Sequence, residues 1–313
     1  MGGAGHQSEA APPQVTADRP EGQTFAGDSL LLRYVNFVKL PHTVFELPFA
    51  FLGVVYASFH APVTLRQGVL VLVAFTAARF AAMGFNRIVD RRFDALNPRT
   101  QFRELPAGKL TLAQAVVAVV VACAVFVAAA ALLNRLCLML SPAALAWILF
   151  YSYTKRVTPL SHLWLGVGLG IAPAAGYLAV TGAWSEPWWP LPVAAVAVMS
   201  WVGGFDIFYA LPDESFDREH GLKSAVVLLG QRNGILLAKL MHAVTIAMLL
   251  VFGLGTPFGI WYYVGVLVAA LILMWEHQLV KPGDLSRLDA AFFRMNGIMS
   301  IVVLGFALGD RLA

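Results

Sequence analysis

Stretches of about twenty consecutive apolar residues recur along this chain, and no other feature restricts its fold as severely. A bilayer's hydrocarbon layer, about 30 Å thick, takes roughly 20 helical residues to cross. Nine runs approach that length, at 40–59, 68–86, 111–133, 137–153, 160–182, 190–211, 235–255, 258–280 and 290–310. None shows the alternation of a strand, and within lipid a helix satisfies its own backbone groups where an open strand does not. The expected fold is an all-α integral membrane protein with nine transmembrane helices. Composition agrees, since 59% of the 313 residues are hydrophobic and only 13% are charged, which excludes an ordinary soluble domain.

Residues 1–30 are rich in Gly, Ala, Pro and polar groups, and they lack the basic start and apolar centre of a signal peptide. They are expected to be a disordered tail before a membrane domain at 31–313. Lys and Arg gather in alternate loops: Arg33 and Lys39, Arg87 to Lys109, Lys155 and Arg156, Arg218 to Arg232, and Lys281 and Arg287. The loops between carry only Arg66 and Arg135. Basic loops stay in the cytoplasm, so the N terminus is expected there, in an inner (cytoplasmic) membrane. A net charge of +4 favours anionic lipid and anionic substrates, with no nucleic-acid signal. Cys123 and Cys137 fall in apolar runs and read as small core residues.

Against this background, residues 86–109, NRIVDRRFDALNPRTQFRELPAGK, place three carboxylates among six basic side chains. Asn86, Asp90 and Asp94 recur every fourth residue, which lines their oxygens along one helix face over roughly 12 Å. Hard oxygen donors in a row suit Mg²⁺, which keeps several waters and is completed by substrate phosphates. A solvated helix end with internal Asp–Arg pairing accounts for the same spacing. A second cluster, DIFYALPDESFDREHGLKS, supplies Asp206, Asp213 and Asp217, again at the cytoplasmic end of an even-numbered run and again followed by basic residues. Pro212 is expected to end or kink the helix just before Asp213. Two carboxylate clusters flanked by Arg and Lys are what a diphosphate held through Mg²⁺ requires, with an apolar wall for a greasy tail.

These motifs, with the run NPRTQFRELPAGKLT and the segment YSYTKRVTPL, resemble the UbiA superfamily of intramembrane aromatic prenyltransferases, in the neighbourhood of 4-hydroxybenzoate polyprenyltransferase. The resemblance implies two four-helix quasi-repeats around a central cavity plus one helix. It also implies transfer of a polyprenyl group from polyprenyl diphosphate to an aromatic carboxylic acid acceptor, assisted by Mg²⁺, at the cytoplasmic face of a lipid membrane. By motif position it assigns Asn86, Asp90, Asp94, Asp213 and Asp217 to the metal, with Asp206 as a companion. It assigns Arg79, Lys155 and Arg156 to the diphosphate and the acceptor's carboxylate, and Arg103 and Lys223 to the diphosphate; the YSY run before Lys155 and Arg156 would set the acceptor ring against Tyr151 or Tyr153. The stretch KLPHTVFELPFAFLG resembles a subgroup linked in part to the futalosine route to menaquinone, whose acceptor is 1,4-dihydroxy-6-naphthoate, so both acceptors stay open.

Other residues carry two readings. His42 and Glu46 either line the acceptor pocket or form an interfacial pair, and Lys155 and Arg156 either bind substrate or anchor the topology. His162, His242 and His277 show no ligand spacing with Cys or Asp, which argues against zinc. Gly166, Gly168, Gly170 and Gly176 read as close-packing positions. An ion-coupled transporter is the rival from another class, but carrier carboxylates lie near the midplane, whereas these sit at the helix ends among Arg and Lys.

Overall fold

A computed structural model of the chain describes residues 25, 27, 29–285, 287, 288 and 295–313, and only the backbone at 41, 42 and 45. Nearly all of the expected tail, and the start of the last apolar run at 290–294, lie outside the described residues. The elements are α1 (Leu30–Phe37), α2 (Leu40–Ala57), α3 (Leu65–Leu96), α4 (Leu112–Leu133), α5 (Arg135–Val157), α6 (Ser161–Thr181) and α7 (Pro190–Ala210). After a 3₁₀ turn at Leu211–Asp213 come α8 (Glu214–Glu219), α9 (Ala225–Leu254), α10 (Ile260–Leu279) and α11 (Asn296–Leu312). Among the described residues there is no strand.

The chain is an all-helical, multi-pass membrane protein. Among the described residues seven helical stretches are long and apolar enough to cross a bilayer: α3, α4, α5, α6, α7 with its continuation through α8, α9 and α10. The other two runs are shorter as helices. Over the described side chains the apolar part of α2 extends over Glu46–Ala57, and α11 has 17 residues. α3 and α4 each begin with a capping box, Thr64 with Gln67 and Thr111 with Gln114, which satisfies backbone N–H groups left open by the first turn. Asn134 separates α4 from α5. Its Oδ1 accepts from the Cys137 amide at 2.9 Å and its Nδ2 donates to the Leu178 carbonyl at 2.8 Å, tying the start of α5 to the end of α6.

α7 lies at the centre, packed on α6 to one side and α9 to the other, while α2 packs on α6, α3 and α11. Trp201, Val202 and Ile207 of α7 and Tyr56 of α2 are buried outright. The small residues of α6 permit this. A Cβ placed on Gly166 would meet the Met199 carbonyl at 2.4 Å, one on Gly170 the Ala195 carbonyl at 2.6 Å, and one on Gly176 the Ala50 carbonyl at 2.0 Å. Gly168 differs, because its nearest neighbour would be Ile148 Cγ2 at 3.5 Å, an ordinary contact. Cys123 and Cys137 are free thiols, half-buried in their helices.

Gly176→Val is therefore expected to lower the melting temperature in detergent, because overpacking of this kind costs on the order of 1–3 kcal/mol. Gly168→Ala is expected to leave it unchanged or raise it slightly, as alanine is the better helix former.

Candidate active site

Asn86, Asp90 and Asp94 occupy the last three turns of α3. The four-residue spacing becomes a direct contact, with Asn86 Nδ2 donating to Asp90 Oδ2 at 2.9 Å. Asp90 Oδ1 accepts from the Arg156 guanidinium at 2.7 Å, and Arg156 also donates to the Ser152 and Val89 carbonyls. Asp94 accepts from Arg103 at 2.6 Å. The second cluster straddles the break at Pro212, where α7 gives way to the 3₁₀ turn and then α8. Asp206, Asp213 and Asp217 still line one space.

That space is a cavity of about 160 Å³ between the ends of α3, α5, α6, α7 and α8, and both clusters line it. The loop after α3 crosses from one cluster to the other. Arg99 grips Asp213 through Nε at 2.9 Å and through a second nitrogen, and Asn97 Nδ2 donates to Asp213 at 3.1 Å. Lys155 Nζ stands 3.7 Å from Asp217. Glu46 of α2 pairs with Arg79 at 2.5 Å, and Asp206 accepts from His162 at 2.7 Å. Tyr209 is buttressed by Lys39, whose Nζ donates to its hydroxyl at 3.0 Å while the Arg99 guanidinium lies 5.0 Å from its ring. In the loop, burial pushes the Glu104 carboxyl above its usual range, with Arg87, Lys109 and Arg103 pulling it back.

Charge balances inside the cavity. Its lining carries six carboxylates (Glu46, Asp90, Asp94, Asp206, Asp213 and Asp217) and six cations (Arg79, Arg87, Arg99, Arg103, Lys155 and Arg156). Two buried oxygens, Asp94 Oδ2 and Asp217 Oδ2, accept no hydrogen bond, and one belongs to each cluster. Among the described residues no three of His, Cys, Asp and Glu converge on one point. This donor set fits a hard divalent cation held by few carboxylates and completed by substrate oxygens, and it does not suit a closed tetrahedral site.

A second, apolar chamber of about 400 Å³ runs from here between α3, α4, α5, α6 and α7. Arg79, Ala82, Tyr151 and Leu165 line both spaces, so the polar cavity opens into the apolar one. Cys137, Leu140, Ile148, Trp164 and Leu169 form part of the apolar wall.

The sequence matches the model of the UbiA prenyltransferase family over residues 47–298. The chain belongs to that family. It is 29% identical to a 4-hydroxybenzoate octaprenyltransferase of Coxiella burnetii over 283 residues, covering 90% of this chain and 96% of that protein. It is 30% identical to the enzyme of the same name from Alkalilimnicola ehrlichii, covering 78% and 82%. The solved apo structure of a UbiA homolog from Aeropyrum pernix K1 superposes with a TM-score of 0.79 at 33% identity, covering 87% of this chain and 98% of that one. A UbiA homolog from Archaeoglobus fulgidus, solved bound to DMAPP and Mg²⁺, shares the fold with a TM-score of 0.71 at 20% identity, covering 90% and 99%.

Of the residues expected at the site of this UbiA-family chain, Arg79, Asn86, Asp90, Asp94, Arg103, Tyr151, Lys155, Arg156, Asp206, Asp213 and Asp217 all line the polar cavity. Lys223 does not. After the left-handed turn at Gly221 the chain runs against the end of α5, where the Lys223 amide donates to the Lys155 carbonyl and its Nζ to the Val157 carbonyl at 3.2 Å. It caps a helix C-terminus, which favours a cation. Tyr153 is 42% exposed and outside the cavity. Glu46 lines it, while the His42 side chain lies outside the described residues. Asn97, Arg99, His162 and Tyr209 are cavity or supporting residues to which the sequence reading assigned no role. Asn97 and Arg99 stand within the basic run already noted, but the four-residue spacing does not reach them.

Lys223→Ala is expected to leave the KM for the anionic substrate within about twofold, since an exposed cation outside the cavity lining contributes little. Arg103→Ala is expected to raise that KM at least tenfold, because it strips a charge-assisted contact from the cavity and leaves Asp94 unpaired. Steady-state kinetics on the two purified variants check this.

Proposed function

We propose that this chain transfers a polyprenyl group from polyprenyl diphosphate to the ring carbon of a phenolic carboxylic acid, 4-hydroxybenzoate or a close relative, as a step of quinone biosynthesis. One observation carries the reading: a polar cavity lined by both aspartate clusters opens directly into an apolar chamber. A molecule with a multiply charged head and a long hydrocarbon tail suits the two spaces together. The curated relatives, named as 4-hydroxybenzoate octaprenyltransferases, support the acceptor and the reaction class. In the same reading the shorter α2 and α11 also cross the bilayer, which makes nine spans in two four-helix repeats with one helix added. The active site then faces the cytoplasm.

The balanced cavity explains the need for metal. Six carboxylates and six cations leave no surplus positive charge for a diphosphate, so a divalent cation has to accompany it. Asn86, Asp90, Asp94, Asp213 and Asp217 are the residues that would hold Mg²⁺, with Asp94 Oδ2 and Asp217 Oδ2 accepting no hydrogen bond. When bound, Mg²⁺ draws electron density from the leaving diphosphate and so favours breaking of the allylic C–O bond. The arginines and Lys155 now on the aspartates would turn to the diphosphate's remaining oxygens. Tyr151 and Phe205 give an aromatic wall beside the point where the donor's first carbon meets the acceptor, and the apolar chamber keeps water from the allylic cation.

Asp90→Ala and Asp213→Ala are each expected to reduce turnover by at least 10³-fold while the protein stays folded in detergent, since each removes several kcal/mol of stabilisation of the departing diphosphate. Circular dichroism and product analysis from radiolabelled donor check both halves, and undiminished activity in excess EDTA would sink the metal assignment. Donor chain length is expected to be read loosely. Each methylene contributes about 0.8 kcal/mol only while it is newly buried, so KM should fall with length until the chamber is full and then level off across a panel of prenyl diphosphates.

A further inference from the structure

Away from both cavities, five side chains with polar groups meet inside the bundle. Asn296, at the start of α11, accepts from the Trp201 indole Nε1 of α7 at 2.6 Å and donates through Nδ2 to Glu276 of α10 at 2.9 Å. His242 of α9 donates through Nε2 to the Trp201 carbonyl at 3.3 Å, and its Nδ1 lies 3.0 Å from His277 Nε2 and 3.8 Å from Glu276 Oε2. Trp201, Glu276 and Asn296 are buried outright, and none of the five lines either space. Three helices thus converge on one residue of α7 and hold both its indole N–H and its carbonyl.

Polar groups cost free energy to bury, and apolar side chains of similar volume would hold the helices together at least as well. What apolar contacts do not supply is direction. The back of α7 is bare at Gly203 and Gly204, where an added Cβ would meet Met241 Cε at 2.2 Å and His242 Cδ2 at 2.3 Å. So smooth a surface lets α9 approach closely but defines the rotation of α7 about its own axis only weakly, and the hydrogen bonds to Trp201 supply that definition. Rotation matters because of what α7 carries. At about 100° per residue, Trp201, Gly204 and Phe208 share one face, and Asp206 and Tyr209 share another roughly 120° round. Phe205 stands between the two. Its ring meets Trp201 edge-on at 5.0 Å, and it lines the polar cavity beside Asp206 and Tyr209. We propose that Asn296, Glu276 and His242 are positioning residues for the active site: they hold Trp201, and through it they fix the rotation of α7 and the aim of Phe205, the aromatic wall for the acceptor ring.

The choice of the acceptor as the substrate affected rests on the aromatic-acceptor reading, so one arm of the test needs no substrate. In a chain carrying Cys123→Ala and Cys137→Ala, the thiol introduced by Phe205→Cys is modified with a charged, water-soluble methanethiosulfonate. Adding Asn296→Leu, which matches the amide in size and breaks both of its hydrogen bonds, is expected to speed modification at least fivefold as α7 rocks about its axis. Adding Glu276→Gln, whose carbonyl still accepts from Asn296, is expected to leave the rate within about twofold. Equal rates in the three chains overturn the positioning role. In the chain with Phe205 and both cysteines in place, Asn296→Leu is expected to raise the KM for 4-hydroxybenzoate at least fivefold and leave the donor KM within about twofold, because a small displacement beside the reacting atoms is costly, while Glu276→Gln stays near wild type. If Asn296→Leu does not fold, Trp201→Phe, which keeps a ring toward Phe205 and loses the indole N–H, should show the same rise in KM and the same faster modification. A fall in activity that follows the loss of folded protein, with both KM values unchanged, also overturns the role. Absence of any transfer by the wild-type chain overturns the acceptor reading instead, and the modification rates then decide the positioning role alone.

Discussion

Charge buried in an apolar bundle has to be compensated on the spot, and the ends of α3, α5 and α7 are arranged around that requirement. An uncompensated carboxylate there would cost several kcal/mol or would take up a proton. Asp94 and Asp217 are nearly inaccessible, and the five cavity aspartates take their partners from the loop after α3, the end of α5 and the start of α6. The partners tie distant elements together. Arg99 follows α3 and holds Asp213 beyond α7, while Arg156 ends α5 and holds Asp90 on α3. Neutralisation thereby joins two motifs more than a hundred residues apart into one cavity, and it fixes where α8 and the loop after α3 must lie.

The same pairing prepares the site for its chemistry. Cations already gathered around carboxylates would need little movement to meet a diphosphate if, as proposed, the carboxylates hold metal, so much of the ordering cost would be met during folding. The apolar chamber is the complement of this cavity. It is built from small residues on α6 and from Trp164, stacked at 3.9 Å on Trp147 with reciprocal hydrogen bonds from each indole to the other's backbone carbonyl. Those bonds satisfy two indole N–H groups beside a mostly apolar wall.

Much of this was legible in the sequence, for identifiable reasons. Apolar runs of about twenty residues have few alternatives to a membrane helix, and the four-residue spacing of Asn86, Asp90 and Asp94 survives because α3 continues unbroken past the apolar segment. Pro212 announced the break that separates Asp206 from Asp213. The glycines of α6 proved to be contact points at 166, 170 and 176, while 168 faces the chamber. Lys223 was misplaced because a basic residue near an acidic motif reads the same in sequence whether it points to the cavity or to the end of a neighbouring helix.

The sequence by itself determined the class of fold, the two acidic clusters and the chemistry that they suit, because periodicity and composition act over a few helical turns and need no knowledge of neighbours. Only the tertiary structure decided which cation each aspartate takes, that Glu46 meets Arg79, and that the polar cavity opens into the apolar chamber. It also decided that His162, a residue with no local pattern around it, reaches Asp206 across the α6–α7 contact. Those pairings depend on close approach of helices distant in the chain. Whether two side chains meet there is set by a few ångströms of packing around residues such as Gly166 and Gly170, a distance that no spacing along one helix encodes.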